Sequence, residues 1–477
     1  MLKNKQLYFW IFTISVLFAL ILPTLIKDGM FMDGLLYSCI SKNLSNGIGS
    51  FWAPQYSRTL YPFFNQQPPL GFGIQSLFFT AFGCSMYVER FYSLLCALVT
   101  AYLIMILWET ILKSETNSRS ASWFPILLWI TIPVCFWSYA NNILENTMGI
   151  FDLISIIYIS KYLFKERNSK YIILSGIFIF LATMTKGIQG MFPLAALFLA
   201  WAVYRNPSFK KMVYGSVLLL IVPAFTYALL LSNSFIYGNL SSYFTHRVLH
   251  SIKNVIEVNS RFYIAKRLLF ELIPATILTA ILVIAAQRTM KKNSVVFQIP
   301  YFRHILFFFL IGISASLPLM VTMEQRGFYL TTSLPYFAVA IALISVTGLI
   351  YLIDKINVDS KIYKIFKIFT IVLLLVVFTF SFLQLGKRSR DHQMLNDIYL
   401  IGAKVPQGTI VGSTKKLWHV WSLQEYLVRY FNIYMKDTIS KTDNYIIIEA
   451  PKEIPVGLKT EKQNIPTVKY QLYKILK

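Results

Sequence analysis

The sequence predicts an all-α polytopic membrane protein with a small α/β domain at its carboxyl end. Three observations carry that prediction. Hydrophobic residues make up 56% of the 477 positions and charged residues only 14%, a balance outside the range of soluble domains. Apolar runs recur from Leu7 to about position 386, the first of them long enough to cross roughly 30 Å of hydrocarbon as a helix. After Lys387 the hydropathy collapses, and ordinary mixed sequence continues to the end. The formal charge of +24 is spread between the apolar runs at alternate ends. That is the pattern of the positive-inside rule and not a nucleic-acid patch, so no nucleic-acid partner is expected. Part of the excess suits the phosphates of membrane lipids.

Taken in order, Lys3 and Lys5 precede the first apolar run, Leu7 to Ile26. Its exit reads LPTLIKDG with no small-x-small cleavage site, so the segment reads as an uncleaved signal-anchor. A polar first loop follows over 27–87. Further spans are expected near 88–112, 123–139, 145–164, 171–185, 188–204, 212–232, 268–287, 304–322, 328–353 and 365–386, about eleven in all. A second long loop covers 232–267. One set of connections carries Lys113 and Arg119; Lys161, Lys165, Arg167 and Lys170; Arg205, Lys210 and Lys211; Arg288, Lys291, Lys292 and Arg303; and Lys355, Lys361 and Lys364. The alternate hairpins carry at most one basic residue each, so the first set is expected to be cytoplasmic and the hairpins outside. The expected division is a membrane domain over 1–386 and an external soluble domain over 387–477. In the latter HQMLNDIYLIGAKV and HVWSLQEYLVRYF read as helices, and TIVGS, DNYIIIEA and YQLYKIL as strands. Its expected role is that of an accessory or a substrate-contacting cap.

The four cysteines, Cys39, Cys84, Cys96 and Cys135, have no CxxC or metal-finger spacing. They read as small buried apolar groups, with a Cys39–Cys84 bridge as the alternative if both face an oxidising compartment.

Several charged residues are expected on the outer side. Asp33 opens DGLLYSCISKNL, whose Leu35, Leu36, Cys39, Ile40 and Leu44 form a stripe suited to a helix lying in the interface. There Asp33 reads either as an N-cap or as a general base. Glu145 begins ENTMGIFDL, and Asp152 follows on roughly the same face; a carboxylate that deep is expected to be paired or to line a cavity. Lys186 sits in the tight MTKGIQG hairpin, where Gly187 and Gly190 permit the turn and the close approach of a ligand. Its ammonium suits a lipid-linked phosphate, with snorkelling as the plain alternative. Arg326 repeats the arrangement in EQRGFYLTTSLPYF. The second loop adds His246, Arg247 and His250. The two histidines, four apart, read either as a divalent-metal pair or as part of a basic interfacial helix.

The ordered set DGLLYSCISKNLSNG, PPLGFGIQSLFFTAFG closed by ERFYSLL, ENTMGIFDL, MTKGIQG and QRGFYLTTSLPYFAVA resembles the polyprenyl-phosphate-sugar-dependent glycosyltransferases of the GT-C fold. The branch it is most similar to is that of bacterial aminoarabinose transferases and protein O-mannosyltransferases. The resemblance covers most of the first 350 residues. It implies that Asp33 is the base or acceptor-orienting aspartate and that Glu145 is a second acidic group. It implies that Lys186, with Arg247 and Arg326, meets the donor phosphate, and that Tyr329 belongs to the substrate loop. Where many members read acidic-Lys-Pro-Pro, this chain has Gln66-Gln67-Pro68-Pro69, so a metal ligand and a phosphate cation are both replaced; Arg58 is the candidate to compensate. The implied activity is inverting transfer of a sugar from a polyprenyl-phosphate donor to a lipid or protein acceptor outside a bacterial inner membrane. The alternatives are transfer of a whole lipid-linked glycan and non-enzymatic lipid or sugar transport. The sugar is already activated, so no nucleotide site is needed; the cofactor left open is a divalent metal ion, with His246 and His250 as its candidate ligands.

Overall fold

The computed structural model describes residues 2–112, 116–449 and 458–476. Lys113, counted above among the basic connections, lies outside them. The chain divides into two compact units.

The first unit, Met1–Thr24, Ser93–Ala140 and Leu144–Gln384, holds most of the apolar helices. Among the described residues nine helices are long and apolar enough to cross a membrane, and the chain is an integral membrane protein. The expected count of about eleven is not reached, because two of the apolar stretches do not form single long helices. The stretch 123–139 is split into Trp123–Ile130 and Pro133–Tyr139, since Pro133 has no N–H to continue the ladder and starts a new helix instead. The stretch 188–204 opens as a 3-10 helix over Ile188–Ala195 with Pro193 inside it, and only Ala196–Tyr204 is α-helical. The Leu334–Lys355 helix is the core of this unit, 72% of its apolar window being buried against 17% for Phe209–Leu231 and Lys361–Phe382. Small residues allow the close packing. A Cβ at Gly348 would come within 2.6 Å of Ala286, and one at Gly312 within 2.7 Å of Phe337.

The second unit comprises Leu25–Tyr92, Asn141–Ile143 and Leu385–Lys477. Its sheet contains β1 (Ile410–Ser413), β2 (Tyr434–Lys436), β3 (Tyr445–Glu449), β4 (Thr460–Lys462) and β5 (Tyr470–Ile475), in the order β2-β1-β3-β5-β4. β1 runs parallel to β2 and β3, while β5 is antiparallel to β3 and β4. The helices His392–Gly402 and Trp421–Phe431 lie at the positions expected from their apolar periodicity. They contribute Leu395, Ile398, Ile401, Leu423, Tyr426 and Leu427 to a core shared with Val411, Ile447 and Leu472. Met30 and Leu35 of the first loop complete that core, so the loop and the carboxyl-terminal segment bury one apolar surface together.

Candidate active site

In the second unit Asp33 occupies the first turn of the helix Met32–Ser45 and is half-buried. It is not the N-cap, which is Phe31; the carboxylate still lies where the amide dipoles favour a negative charge. The helix does not leave one wet face. Gly34, Leu35, Tyr37 to Ile40, Ser41, Lys42 and Asn43 are all buried, so its polar side is satisfied by protein. Phe31 N donates to Asn141 Oδ1 at 3.0 Å. Asn142 Nδ2 donates to Ser38 Oγ at 3.0 Å, and Gln75 bridges Ser41 and Asn142 at 3.0 and 2.8 Å. A Cβ at Gly34 would meet Asn141 O at 2.0 Å, which requires glycine next to Asp33.

The far end of this helix is held as firmly. Lys42 Nζ donates to Arg429 O at 2.8 Å and to Asn432 Oδ1 at 2.7 Å, capping the last carbonyls of the Trp421–Phe431 helix. Burial, reinforced by the Arg429 charge, lowers the Lys42 ammonium to about 8. Arg429 in turn pairs with Glu89 at 2.6 Å, and Asp28 accepts from Tyr430 and Tyr399 at 2.7 and 2.8 Å. The ERFYSLL motif thus acts here through a buried ion pair.

The rest of the first loop is placed as follows. Gln66 Nε2 lies 3.4 Å from Asn65 Oδ1; Gln66 and Gln67 are half-buried, and Pro68 is buried before the helix Leu70–Phe82. Arg58 is exposed, with its guanidinium 5.4 Å from the centre of the Tyr434 ring. The Cys39–Cys84 bridge does not form, because Cys39 is buried in the helix and Cys84 is exposed. Cys39 Sγ lies 3.4 Å from Glu425 O instead.

In the first unit Glu145 lies in the first turn of Leu144–Phe164 and Lys186 ends Ser169–Lys186. The two form a buried ion pair. The Lys186 ammonium also lies 5.0 Å from the Tyr329 ring centre and 5.6 Å from that of Phe328, a cation-π arrangement. The hairpin glycines make room for protein where a ligand was expected. A Cβ at Gly187 would collide with Tyr243 Oη, which donates to Lys186 O at 3.3 Å, and one at Gly190 would meet the backbone of Ala182 and Thr183. Gln189 Nε2 donates to Tyr329 O at 2.7 Å and fixes the loop beside the ammonium.

The two candidate arginines of this unit are paired as well. Arg247 bonds to buried Glu324, and Arg326 to Glu257. Neither glutamate was singled out in the sequence. The second loop is a helical arm, Ser234–Tyr243 continued by a π-helical turn over Phe244–Leu249 and by His250–Asn254. His246 and His250 are exposed; His246 Nδ1 is 3.2 Å from Ser242 O, and His250 Nδ1 is 3.0 Å from Asn254 Nδ2. No group of three or more His, Cys, Asp or Glu able to hold a metal ion occurs among the described residues. Asp152 does not show the paired arrangement that was one of its two expectations. It is fully buried, and neither carboxylate oxygen has a hydrogen-bond partner among the described residues.

Comparison with known proteins agrees with this architecture. Residues 66–231 match the family model described as dolichyl-phosphate-mannose-protein mannosyltransferase, a segment that includes Glu145 and Lys186 and begins after Asp33. Two crystal structures of ArnT from Cupriavidus metallidurans are similar. The undecaprenyl-phosphate-bound form has a TM-score of 0.65 at 14% identity and covers 97% of each chain. The apo form has 0.64 at 11%, covering 96% of this chain and 95% of that one. The apo oligosaccharyltransferase of Archaeoglobus fulgidus gives 0.56 at 11%, over 93% of this chain and 70% of that one. No curated protein sequence matches the chain. The expectation drawn from the ordered motifs holds for the architecture: the chain has the GT-C fold of the protein mannosyltransferase and ArnT type.

Proposed function

We propose that this chain is a membrane glycosyltransferase that moves a sugar from a polyprenyl-phosphate donor to a hydroxyl of a lipid or protein acceptor, with inversion at the anomeric carbon. The observation that carries the reading is Lys186. Its ammonium ends a membrane helix, buried between a carboxylate and two aromatic rings, which suits an anion arriving at headgroup depth. The fold adds to this, since one similar structure was determined with undecaprenyl phosphate.

In this reading the first unit handles the donor. Lys186, with Arg247 and Arg326, stabilises the phosphate as its oxygen takes the electron pair of the breaking bond to the anomeric carbon. Each cation then exchanges its present carboxylate partner for phosphate oxygens. Stabilising charge on a leaving group in a partly dry site is commonly the largest catalytic term. The second unit handles the acceptor. Asp33 takes the hydroxyl proton as that oxygen forms the new bond, a role contributing about 10² to 10⁴-fold. Gln66, Gln67, Pro68 and Arg58 of the first loop, and Tyr329 beside Lys186, are assigned to substrate contact. The outward-facing orientation rests on the sidedness of the basic connections, and the bacterial inner membrane is the proposed location.

The test supplies labelled polyprenyl-phosphate sugar to membranes carrying the chain or its Asp33→Asn variant. Transfer of label is expected to fall at least about 100-fold in the variant. Transfer at the wild-type rate would remove Asp33 from the mechanism.

A further inference from the structure

The two rings beside the Lys186 ammonium, Phe328 and Tyr329, come from a 3-10 turn, Gly327–Leu330. So short a turn has strained hydrogen bonds and little stiffness of its own, and the rings are placed by what packs behind them. Tyr329 is fixed through its carbonyl by Gln189. Phe328 is fixed by the short helix Pro133–Tyr139. The Trp137 and Phe328 rings stack, with centroids 5.7 Å apart and planes 23° from parallel. The next residue, Ser138, places its Oγ 2.9 Å from Thr331 Oγ1, and the Thr331 hydroxyl donates to Phe328 O at 2.7 Å. Side chain and backbone of Phe328 are thus held by two successive residues of one helix. That helix is tied at both ends. Glu271, 2% exposed, accepts from Val134 N at 2.8 Å, satisfying an N–H that a helix start leaves unbonded. Asn146 Nδ2 donates to Ser138 O at 3.0 Å, and Asn146 directly follows Glu145, the carboxylate partner of Lys186. The helix therefore joins the aromatic side of the ammonium to the turn that carries its counter-charge.

When the ammonium gives up Glu145 for phosphate oxygens, the rings are the contacts that it keeps, and a cation over a ring face is held only while the ring stays in place. We propose that Trp137 is a positioning residue for Lys186: by bracing the Phe328 ring it keeps the ammonium aimed at the donor phosphate while the carboxylate partner is exchanged. The proposal rests on the reading of Lys186 as the phosphate cation. It gives the Pro133–Tyr139 helix a part in donor binding, and Glu271, which holds that helix through Val134 N, a part in placing Trp137.

The test compares Trp137→Phe with Trp137→Leu in the purified full-length protein, supplied with labelled polyprenyl-phosphate sugar and envelope extract as acceptor. Both substitutions are apolar and smaller than tryptophan, and only phenylalanine keeps a ring to stack on Phe328. Trp137→Phe is expected to keep the donor concentration for half-maximal transfer within about twofold of wild type. Trp137→Leu is expected to raise it at least about fivefold, with the dependence on acceptor unchanged within about twofold. In Lys186→Met combined with Glu145→Leu no ammonium remains to be positioned, and there Trp137→Leu is expected to add less than about twofold to the donor defect. Equal donor dependence in Trp137→Phe and Trp137→Leu, or a Trp137→Leu effect that persists in full without Lys186, would overturn the proposal, because a packing role needs neither ring nor ammonium. Should Trp137→Leu fail to fold, Glu271→Leu takes its place. It keeps both rings and removes the acceptor of Val134 N, so the same donor defect is expected, with Glu271→Gln near wild type; equal donor dependence in these two would overturn the proposal likewise. Unchanged donor dependence in the Lys186 variant itself is a separate failure, which removes Lys186 from phosphate binding and its positioning along with it.

Discussion

At the scale of single residues, the chain joins charges that the sequence shows only one by one. Lys186, Arg247 and Arg326 were legible as basic groups beside apolar helices, but their partners were not. Arg247 and Glu324 are 77 positions apart, and Arg326 and Glu257 are 69, with no periodic pattern linking either pair. The pairing changes what a substitution does. Removing one member of a buried pair leaves the other uncompensated, a loss of about 3 to 5 kcal/mol. Lys186→Ala is therefore expected to destabilise the protein and to raise the donor concentration needed for half-maximal transfer at least about tenfold. In Lys186→Met combined with Glu145→Leu the stability is expected to return, because both charges are gone, while the donor defect stays. Melting in detergent and donor titration separate the two effects. Unchanged donor dependence in both variants would remove Lys186 from phosphate binding.

At the scale of elements, hydropathy located the long helices, and each departure has a local cause. Pro133 divides one apolar stretch and the Gly187–Pro193 region tightens another, which a window average over apolar residues cannot register. The helix Met32–Ser45 was visible from its apolar stripe, whereas the burial of Ser38 and Ser41 depends on Asn142 and Gln75, and that of Asn43 on the Tyr56 carbonyl. Such contacts follow from tertiary packing and leave no mark in local periodicity. Asp152 shows the opposite situation, a charged residue type with no hydrogen-bond partner among the described residues. Replacing a buried polar group that makes no hydrogen bond with an apolar one is neutral or stabilising, by up to about 3 kcal/mol. Asp152→Leu is therefore expected to melt no lower than wild type and to transfer sugar within about twofold of its rate. Loss of transfer without loss of stability would show that this carboxyl takes part in the chemistry.

At the scale of the whole molecule, the fold class and the ordered motifs were legible because bilayer thickness imposes a length on every span and leaves polar residues to the connections. The grouping of Leu25–Tyr92 with Leu385–Lys477 had no such signal. It rests on Met30 and Leu35 entering a core otherwise built from the carboxyl-terminal segment, and on Glu89 meeting Arg429 across 340 positions. The short strands β2 and β4 escaped notice for a related reason: three residues each are too few to show an alternation. The central claim is chemical transfer, and it is tested most directly by following both halves of the donor in proteoliposomes. These would contain the purified chain, polyprenyl-phosphate sugar labelled in the sugar, and envelope extract as acceptor. The account predicts that label becomes covalently attached to a lipid or protein while one polyprenyl phosphate is released for each sugar transferred. Label that crosses the bilayer still joined to its lipid, with no covalent product, would contradict it.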